Sequence, residues 1–356
     1  MNLHAVILCG GRGERFWPKS RRGLPKQFIT LFGRQSLTQE TSARVLPLCP
    51  YGSQLFVAPA EFEPVLRRQL GHDANLVFEP MGRNTAPAIG LAAEYLAVKA
   101  PDATMLVLPA DHLIEDRNAF LKAVRAGAKL AQRGLLVTFG VRPERPDTGY
   151  GYIQLGNRIA GEGQLTAHQV QAFKEKPSPA RARAYLAAGE YVWNSGMFIW
   201  RVDAILSAFR TFMPDFHDEL EEFGKSIGTR REKAALARLY RHSPSISIDY
   251  AVMEKADNVA CVRGSFDWDD VGSWLALARH AKPDDSGNVA NGRLVAKDSS
   301  RCIVDSDFGI VAALGVKDLV IVRAGDAVLV ADKKRLGQIK QLIADIAALQ
   351  DGRRFL

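Results

Sequence analysis

The chain has 356 residues, of which 47% are hydrophobic and 24% charged, ordinary globular values for a protein larger than one average domain. Its net charge of +8 comes without a long Lys/Arg run or a basic–aromatic ladder, so small anionic substrates explain the excess better than nucleic acid. No apolar run reaches membrane-spanning length and the N-terminus lacks a basic n-region, so neither a membrane span nor a signal peptide is expected.

In chain order, residues 5–9 are a short apolar run that predicts a buried first strand ending beside Leu8. Gly10, Gly11 and Gly13 follow at once, and a glycine-rich turn there lets the backbone approach a phosphate with no Cβ in the way. Arg12, Arg15, Lys19, Arg21, Arg22, Lys26 and Arg34 share this stretch with a single acid, Glu14. A loop so basic suits a polyanion such as a nucleoside triphosphate. Two familiar phosphate loops are excluded by spacing. Phe16 stands where a dinucleotide fingerprint needs its third glycine, and no stretch fits the P-loop pattern. Trp17-Pro18 disfavours an immediate helix, so the basic residues are expected on an extended loop around the ligand.

Up to residue 140, short apolar runs alternate with helical stretches. Further strands are predicted at 55–58, 75–78, 104–108 and 135–139, and helices at 37–45, 64–70, 86–100 and 118–133. Ser36 with Gln39 fits a capping box for the first helix; Pro87 suits the first turn of the third, capped by Asn84 or Thr85. Such interleaving implies a mostly parallel sheet covered on both faces, with ligands beyond the C-terminal ends of its strands.

From Thr148 the pattern changes. Strands at 152–155, 170–174 and 196–201 read as a substrate lobe, followed by helices at 202–213, stopped by Pro214, and at 230–240. After 283 come short β runs at 294–296, 302–304, 310–312, 319–322 and 327–330, closed by a helix over 333–349. This divides the chain into a catalytic domain, 1–283, and a β-rich tail, 284–356. Pattern alone leaves the tail as either β-helix-like or a small antiparallel sheet. The terminal segment carries apolar residues at helical spacing, so one face needs a partner. A homodimer formed partly through this tail is expected, with burial on its own subunit as the other outlet. Cys9, Cys49, Cys261 and Cys302 are scattered and form no zinc pattern, which fits free thiols in a reducing cytoplasm.

Two acidic positions carry chemistry. Asp111 lies just past the strand at 104–108, where an α/β sheet presents its ligands. Asp267, Asp269 and Asp270 form a second cluster. Two carboxylates suffice to hold a Mg²⁺ that also binds phosphate oxygens, because magnesium keeps several waters. His112 tempts a general-base role, yet a phosphate oxygen needs no base. Asp249 also reads as a helix N-terminus.

The run Phe16-Trp17-Pro18, Ser20-Arg21 and Pro25-Lys26-Gln27-Phe28 resembles the signature of sugar-nucleotide pyrophosphorylases, and of mannose-1-phosphate guanylyltransferases in particular. Uridylyl and thymidylyl relatives usually carry threonine where this chain has Glu14. The resemblance implies a nucleotidyltransferase-type, Rossmann-like mixed sheet flanked by helices, with a small C-terminal β-helix-like domain. It implies a cytoplasmic enzyme that uses Mg²⁺, GTP and α-D-mannose 1-phosphate to make GDP-mannose and pyrophosphate. The metal is assigned to Asp111 and Asp270, with Asp269 as the alternative. Catalytic roles fall to Arg15, Lys26 and Lys176. Leu8, Gly10, Gly11, Gly13, Arg15, Lys26, Asn84, Thr85 and Pro87 surround the nucleotide, although Asn84 serves equally well as a helix cap. Asp111, Gly149, Glu175, Lys176 and Asn194 bind the sugar phosphate: Lys176 as a point charge on its phosphate, Glu175 and Asn194 on its hydroxyls, Gly149 through its N–H. Rival readings are a guanylyltransferase for another hexose or heptose phosphate and a non-catalytic regulatory subunit. The presence of Arg15, Lys26, Asp111 and Lys176 argues against lost catalysis. Only about 70 residues follow Gly287, too few for an added cupin-like isomerase barrel.

Overall fold

The computed structural model describes residues 2–162, 165–174 and 176–356. Strands β1 (Leu3–Leu8), β2 (Gln54–Pro59), β3 (Asn75–Glu79) and β4 (Thr104–Pro109) run parallel in the spatial order β3-β2-β1-β4. Helices α1 (Leu37–Val45), α2 (Glu63–Leu70), α3 (Thr85–Lys99) and α4 (Arg117–Ala131) connect and cover them. Strand period decides which core each side chain enters. Ile7 and Leu106 join Phe120 and Val124 on one face; Val6 and Val107 join Ile89 and Ala92 on the other. The expected caps are present. Ser36 and Gln39 bond reciprocally at α1, and Asn84 Oδ1 accepts from Thr85 N at 2.8 Å at α3.

The sheet continues through β5 (Leu136–Val141), β6 (Tyr152–Glu162), β7 (Leu165–Lys174), β8 (Tyr191–Arg201) and β9 (Val259–Arg263), giving nine strands in the order β3-β2-β1-β4-β8-β5-β9-β7-β6. β8 runs antiparallel to β4 and β5, which makes the sheet mixed. β6 also pairs with β8, so β8-β5-β9-β7-β6 close into a ring. Helices α5 (Pro179–Ala188), α6 (Val202–Phe212), α7 (Pro214–Gly224), α8 (Glu232–His242) and α9 (Leu275–His280) complete this unit. Pro214 ends α6 as expected and also opens α7, because proline fits the first helical turn where its missing N–H costs nothing. The sequence pattern does not predict β9, α5, α7 or α9.

The tail is a four-stranded sheet of β10 (Val289–Lys297), β11 (Ile303–Leu314), β12 (Leu319–Ala324) and β13 (Ala327–Asp332). β10, β11 and β12 pair in parallel and only β13 turns antiparallel, which resolves the two readings toward a β-helix-like coil. The runs at 302–304 and 310–312 are one strand. The closing helix is shorter than its pattern: a 3₁₀ turn, Lys333–Gln338, precedes α10 (Ile339–Ala347), and Gly337 at the break weakens helix there.

The tail does not stand apart. Phe16, Trp17, Leu37 and Trp274 share one core with Ile303, Val322, Leu329 and Ile339, and Ile343 and Ile346 of α10 pack against it. The apolar stripe of the terminal segment is thus partly covered by its own subunit, while Leu342 stays exposed. Polar bonds reinforce the seam: Lys19 Nζ lies 2.7 Å from buried Asp305, Arg21 lies 3.0 Å from Asp326, and Trp17 Nε1 donates to the Phe355 carbonyl at 2.7 Å. This corrects one expectation. The basic loop does not wrap a ligand along its whole length; Lys19 and Arg21 hold the tail, and 3₁₀ turns at Glu14–Phe16 and Lys26–Phe28 interrupt it.

Candidate active site

The C-terminal ends of β1 and β4 deliver the glycine loop and Asp111 to the same edge of the sheet. Buried Gln27 laces the loop in place, its amide donating to the carbonyls of Cys9 at 2.8 Å and Gly11 at 3.1 Å. Gly13 has φ +60°, and a Cβ there would lie 2.4 Å from Lys26 N. Glycine is therefore required for the two arms of the loop to touch.

That contact places Lys26. Its ammonium reaches Asp111 Oδ2 at 2.8 Å and the main-chain carbonyl of Asp270 at 2.5 Å. Burial works to raise the Asp111 carboxyl, but Lys26 and His112 outweigh it and hold the group below the usual carboxylate range. Asp270 Oδ1 accepts from Tyr150 OH at 2.8 Å. Burial lowers the His112 pKa, favouring its neutral form, and His112 Nδ1 accepts from Trp268 Nε1 at 3.2 Å. With that nitrogen occupied, His112 is poorly placed as a base.

The three aspartates of the second cluster have separate jobs. Asp267 accepts from the main-chain N–H groups of Glu115 and Asp116. Asp269, 4% exposed, is gripped by Arg279 and His280 and accepts from Val271 N at 2.7 Å. Burial opposes its ionisation, yet His280 and Arg279 hold it far below the usual range. Val271 has φ +49°, a strained conformation for a β-branched residue. Asp269 holds this strained turn, and the turn presents Asp270.

Two adjoining cavities open here, of about 540 and 460 Å³, and both are lined by Gly11, Asp111, His112 and Asp270. Leu8, Gly10, Asn84, Thr85, Gly149 and Asn194 line the first; Gly13, Arg15 and Lys26 line the second. In the first, Asn194 Nδ2 donates to Asp249 Oδ1 at 2.7 Å, and the Gly149 N–H donates to Asp147 in its own turn at 2.9 Å. Burial raises the Asp249 carboxyl. Asp249 opens a π-helical turn, Asp249–Met253, an irregularity frequent at functional sites. Pro87 is buried in the first turn of α3 and lines neither cavity. Lys176, with φ +41°, is exposed on the turn after β7 and also lines neither. Glu175 lies outside the described residues.

Sequence reasoning missed Gln27 as the lace of the loop, Tyr150 as the partner of Asp270, and Glu79. Glu79 lines the first cavity, accepts from Tyr240 OH at 3.0 Å, and is pushed up to about 7 by burial. Gln27 had a visible signal, its place in the Pro25-Lys26-Gln27 run. Tyr150 and Tyr240 had none, because their partners are 120 and 161 residues away.

A glycine loop facing two carboxylates at the C-terminal ends of the parallel strands of a mixed sheet defines an enzyme that handles nucleoside phosphates. The family model for nucleotidyl transferases matches residues 4–286, and one for a MannoseP isomerase/GMP-like beta-helix domain matches residues 292–346. Mannose-1-phosphate guanylyltransferases of Klebsiella pneumoniae and Escherichia coli are each 41% identical over 346 residues, covering 96% of this chain and 73% of theirs. A crystal structure described as mannose-1-phosphate geranyltransferase from Thermus thermophilus superposes with TM-score 0.89 at 40% identity, covering 98% of this chain and all of that one. The chain belongs to the nucleotidyl transferase family, in the branch that holds the mannose-1-phosphate guanylyltransferases.

Proposed function

We propose that the chain transfers GMP from GTP to α-D-mannose 1-phosphate, giving GDP-mannose and pyrophosphate. The observation that carries this reading is the meeting of Lys26, Asp111 and Asp270 where the two cavities join. A phosphate oxygen of the sugar attacks the α-phosphorus, and the bond from that phosphorus to the bridging oxygen of pyrophosphate breaks. No proton has to move, since nucleophile and leaving group are both anions. The obstacle is their mutual repulsion, so positioning and fixed positive charge supply the catalysis.

Arg15 and Lys26 hold the triphosphate and receive the charge that develops on the leaving group. Lys176 binds the sugar phosphate from the turn after β7, with Asn194, Gly149 and Glu175 on the hexose. Leu8, Gly10, Gly11, Gly13, Asn84 and Thr85 shape the nucleotide side, with Pro87 supporting Asn84 and Thr85 from the buried first turn of α3. Asp111 and Asp270 suit Mg²⁺: both are hard oxygen donors lining the two adjoining cavities, and an ion that keeps water and phosphate ligands needs few from the protein. When bound, the ion neutralises phosphate charge. Asp269 is committed to Arg279 and His280, which favours Asp270 as the ligand.

Residues 1–283 are proposed as the catalytic domain and 284–356 as the tail. We also propose a homodimer: Val295, Ile310, Leu314, Val328 and Val330 of the tail sheet are exposed apolar side chains suited to a second copy. Four buried, unpaired thiols and a GTP substrate fit the cytoplasm. Pyrophosphate release, measured for GTP, ATP, UTP and dTTP against mannose, glucose and heptose 1-phosphates, tests the reaction. GTP with mannose 1-phosphate should give the highest kcat/KM; a different best pair overturns the assignment.

A further inference from the structure

In an in-line displacement the leaving group departs on the side of phosphorus opposite the nucleophile. The two cavities provide those sides, since they share Asp111, His112 and Asp270 and diverge from there. The first contains Asn84 and Thr85, assigned to the nucleotide, and Gly149 and Asn194, assigned to the sugar. The second, of about 460 Å³, is therefore the place of the β- and γ-phosphates. Arg12, Arg15 and Lys26 of the glycine loop line it, together with one residue from the far end of the chain, Lys340.

Lys340 is held there by its neighbours. It stands in the first turn of α10, next to Ile339, which is 3% exposed in the core shared with Phe16 and Trp17. The Lys19–Asp305 and Arg21–Asp326 pairs fix the tail to the same loop. Among the described residues, Arg12, Arg15 and Lys340 make no side-chain hydrogen bond or ion pair within the chain. Glu14, Asp111 and Asp270 line the same cavity, but Asp111 is taken up by Lys26, and among the described residues Arg12, Arg15 and Lys340 have no carboxylate within ion-pair distance. Three such cations facing one cavity attract a polyanion.

We propose that Lys340 binds the β,γ-diphosphate of the nucleotide and the departing pyrophosphate, so that the tail supplies a cation to the reaction. This rests on the nucleotidyl-transfer reading above and extends it: the β-rich tail completes the leaving-group site. A compact ammonium suits the role, since pyrophosphate offers oxygens in many directions.

The test uses the full chain with Lys340→Ala, Lys340→Arg and, as a control, Lys334→Ala, which removes an exposed charge from the same segment without touching the cavity. Calorimetric titration with pyrophosphate and with GTP, each in Mg²⁺ buffer, gives Kd directly; steady-state rates in both directions give KM. Lys340→Ala should raise Kd and KM for GTP and pyrophosphate by roughly tenfold, the loss of one charged phosphate contact. KM for mannose 1-phosphate and GDP-mannose should stay unchanged, Lys340→Arg should recover most of the affinity, and Lys334→Ala should match the parent. Unchanged Kd for both probes overturns the proposal, as does equal weakening of GDP-mannose with a lowered Tm. A parent that binds GTP in a Lys340-dependent way but makes no GDP-mannose overturns the sugar assignment and leaves Lys340 in place.

Discussion

The ammonium of Lys26 joins the carboxylate of Asp111, 2.8 Å away, to the main-chain carbonyl of Asp270. It thereby ties β4, the glycine loop and the strained turn at Val271 to one point. Lys26→Ala removes the cation paired with Asp111 and the charge proposed for the triphosphate. We expect kcat/KM for GTP to fall by about a hundredfold or more. Gly13→Ala should have a similar effect while keeping the lysine, because its Cβ collides with Lys26 and its φ is unfavourable. Steady-state kinetics check both, and a Gly13→Ala enzyme with parental kcat/KM would show that the contact is dispensable.

The aspartates should separate by phenotype. Asp111→Asn and Asp270→Asn are expected to lower kcat by roughly two orders of magnitude or more; Tm should change little in Asp270→Asn and fall in Asp111→Asn, which leaves the buried Lys26 ammonium without its counter-charge. Asp269→Asn strands Arg279 and the strained Val271 turn, so stability should drop by about 3 kcal/mol. Thermal melts beside initial rates at saturating Mg²⁺ distinguish them. Near-parental turnover in Asp270→Asn would exclude it as the metal ligand.

The seam between body and tail should be breakable at Lys19. Its partner Asp305 is fully buried and also accepts from Asn291 Nδ2 at 2.8 Å. Removing one member of a buried pair leaves the other charge uncompensated, so Lys19→Ala should cost about 3 kcal/mol and expose the tail to proteolysis. Denaturant unfolding and limited proteolysis measure this; an unchanged cleavage pattern would mean that the apolar core alone holds the seam.

Glu79 makes a pH prediction. Its carboxyl is raised from the ordinary 4.5 to about 7 by burial, against the opposing hydrogen bond from Tyr240. The folded state therefore binds the proton more tightly than the unfolded state. That contribution to stability is complete below pH 4.5 and is lost as pH rises through 7. Between about pH 5 and pH 8 the parent should lose about 2 to 3 kcal/mol relative to Glu79→Gln. Urea unfolding of both proteins at the two pH values checks this, and parallel pH dependence would show that Glu79 ionises freely.

Local rules were enough for much of the molecule. Alternation at Val6 and Ile7, the Ser36–Gln39 box and Pro87 in its helix turn depend on neighbours within a few residues, so the parallel half of the sheet was readable. The glycine loop and Asp111 were readable for the same reason, since a strand end fixes where the next residues go. What required the tertiary structure were pairings between distant residues. Asp267, Asp269 and Asp270 are equivalent on paper, and only Arg279, His280 and Tyr150 assign them different work. Lys19, Arg21 and Arg15 look alike in a basic loop, yet Asp305 and Asp326 draw the first two to the tail while Arg15 is left at the cavity. Lys340 is some 300 residues from the glycine loop, and no local pattern reveals that α10 carries it there. The reason is physical: dihedral preference and side-chain period act over one or two turns, whereas an ion pair or a cavity wall depends on which surfaces the packed core brings together.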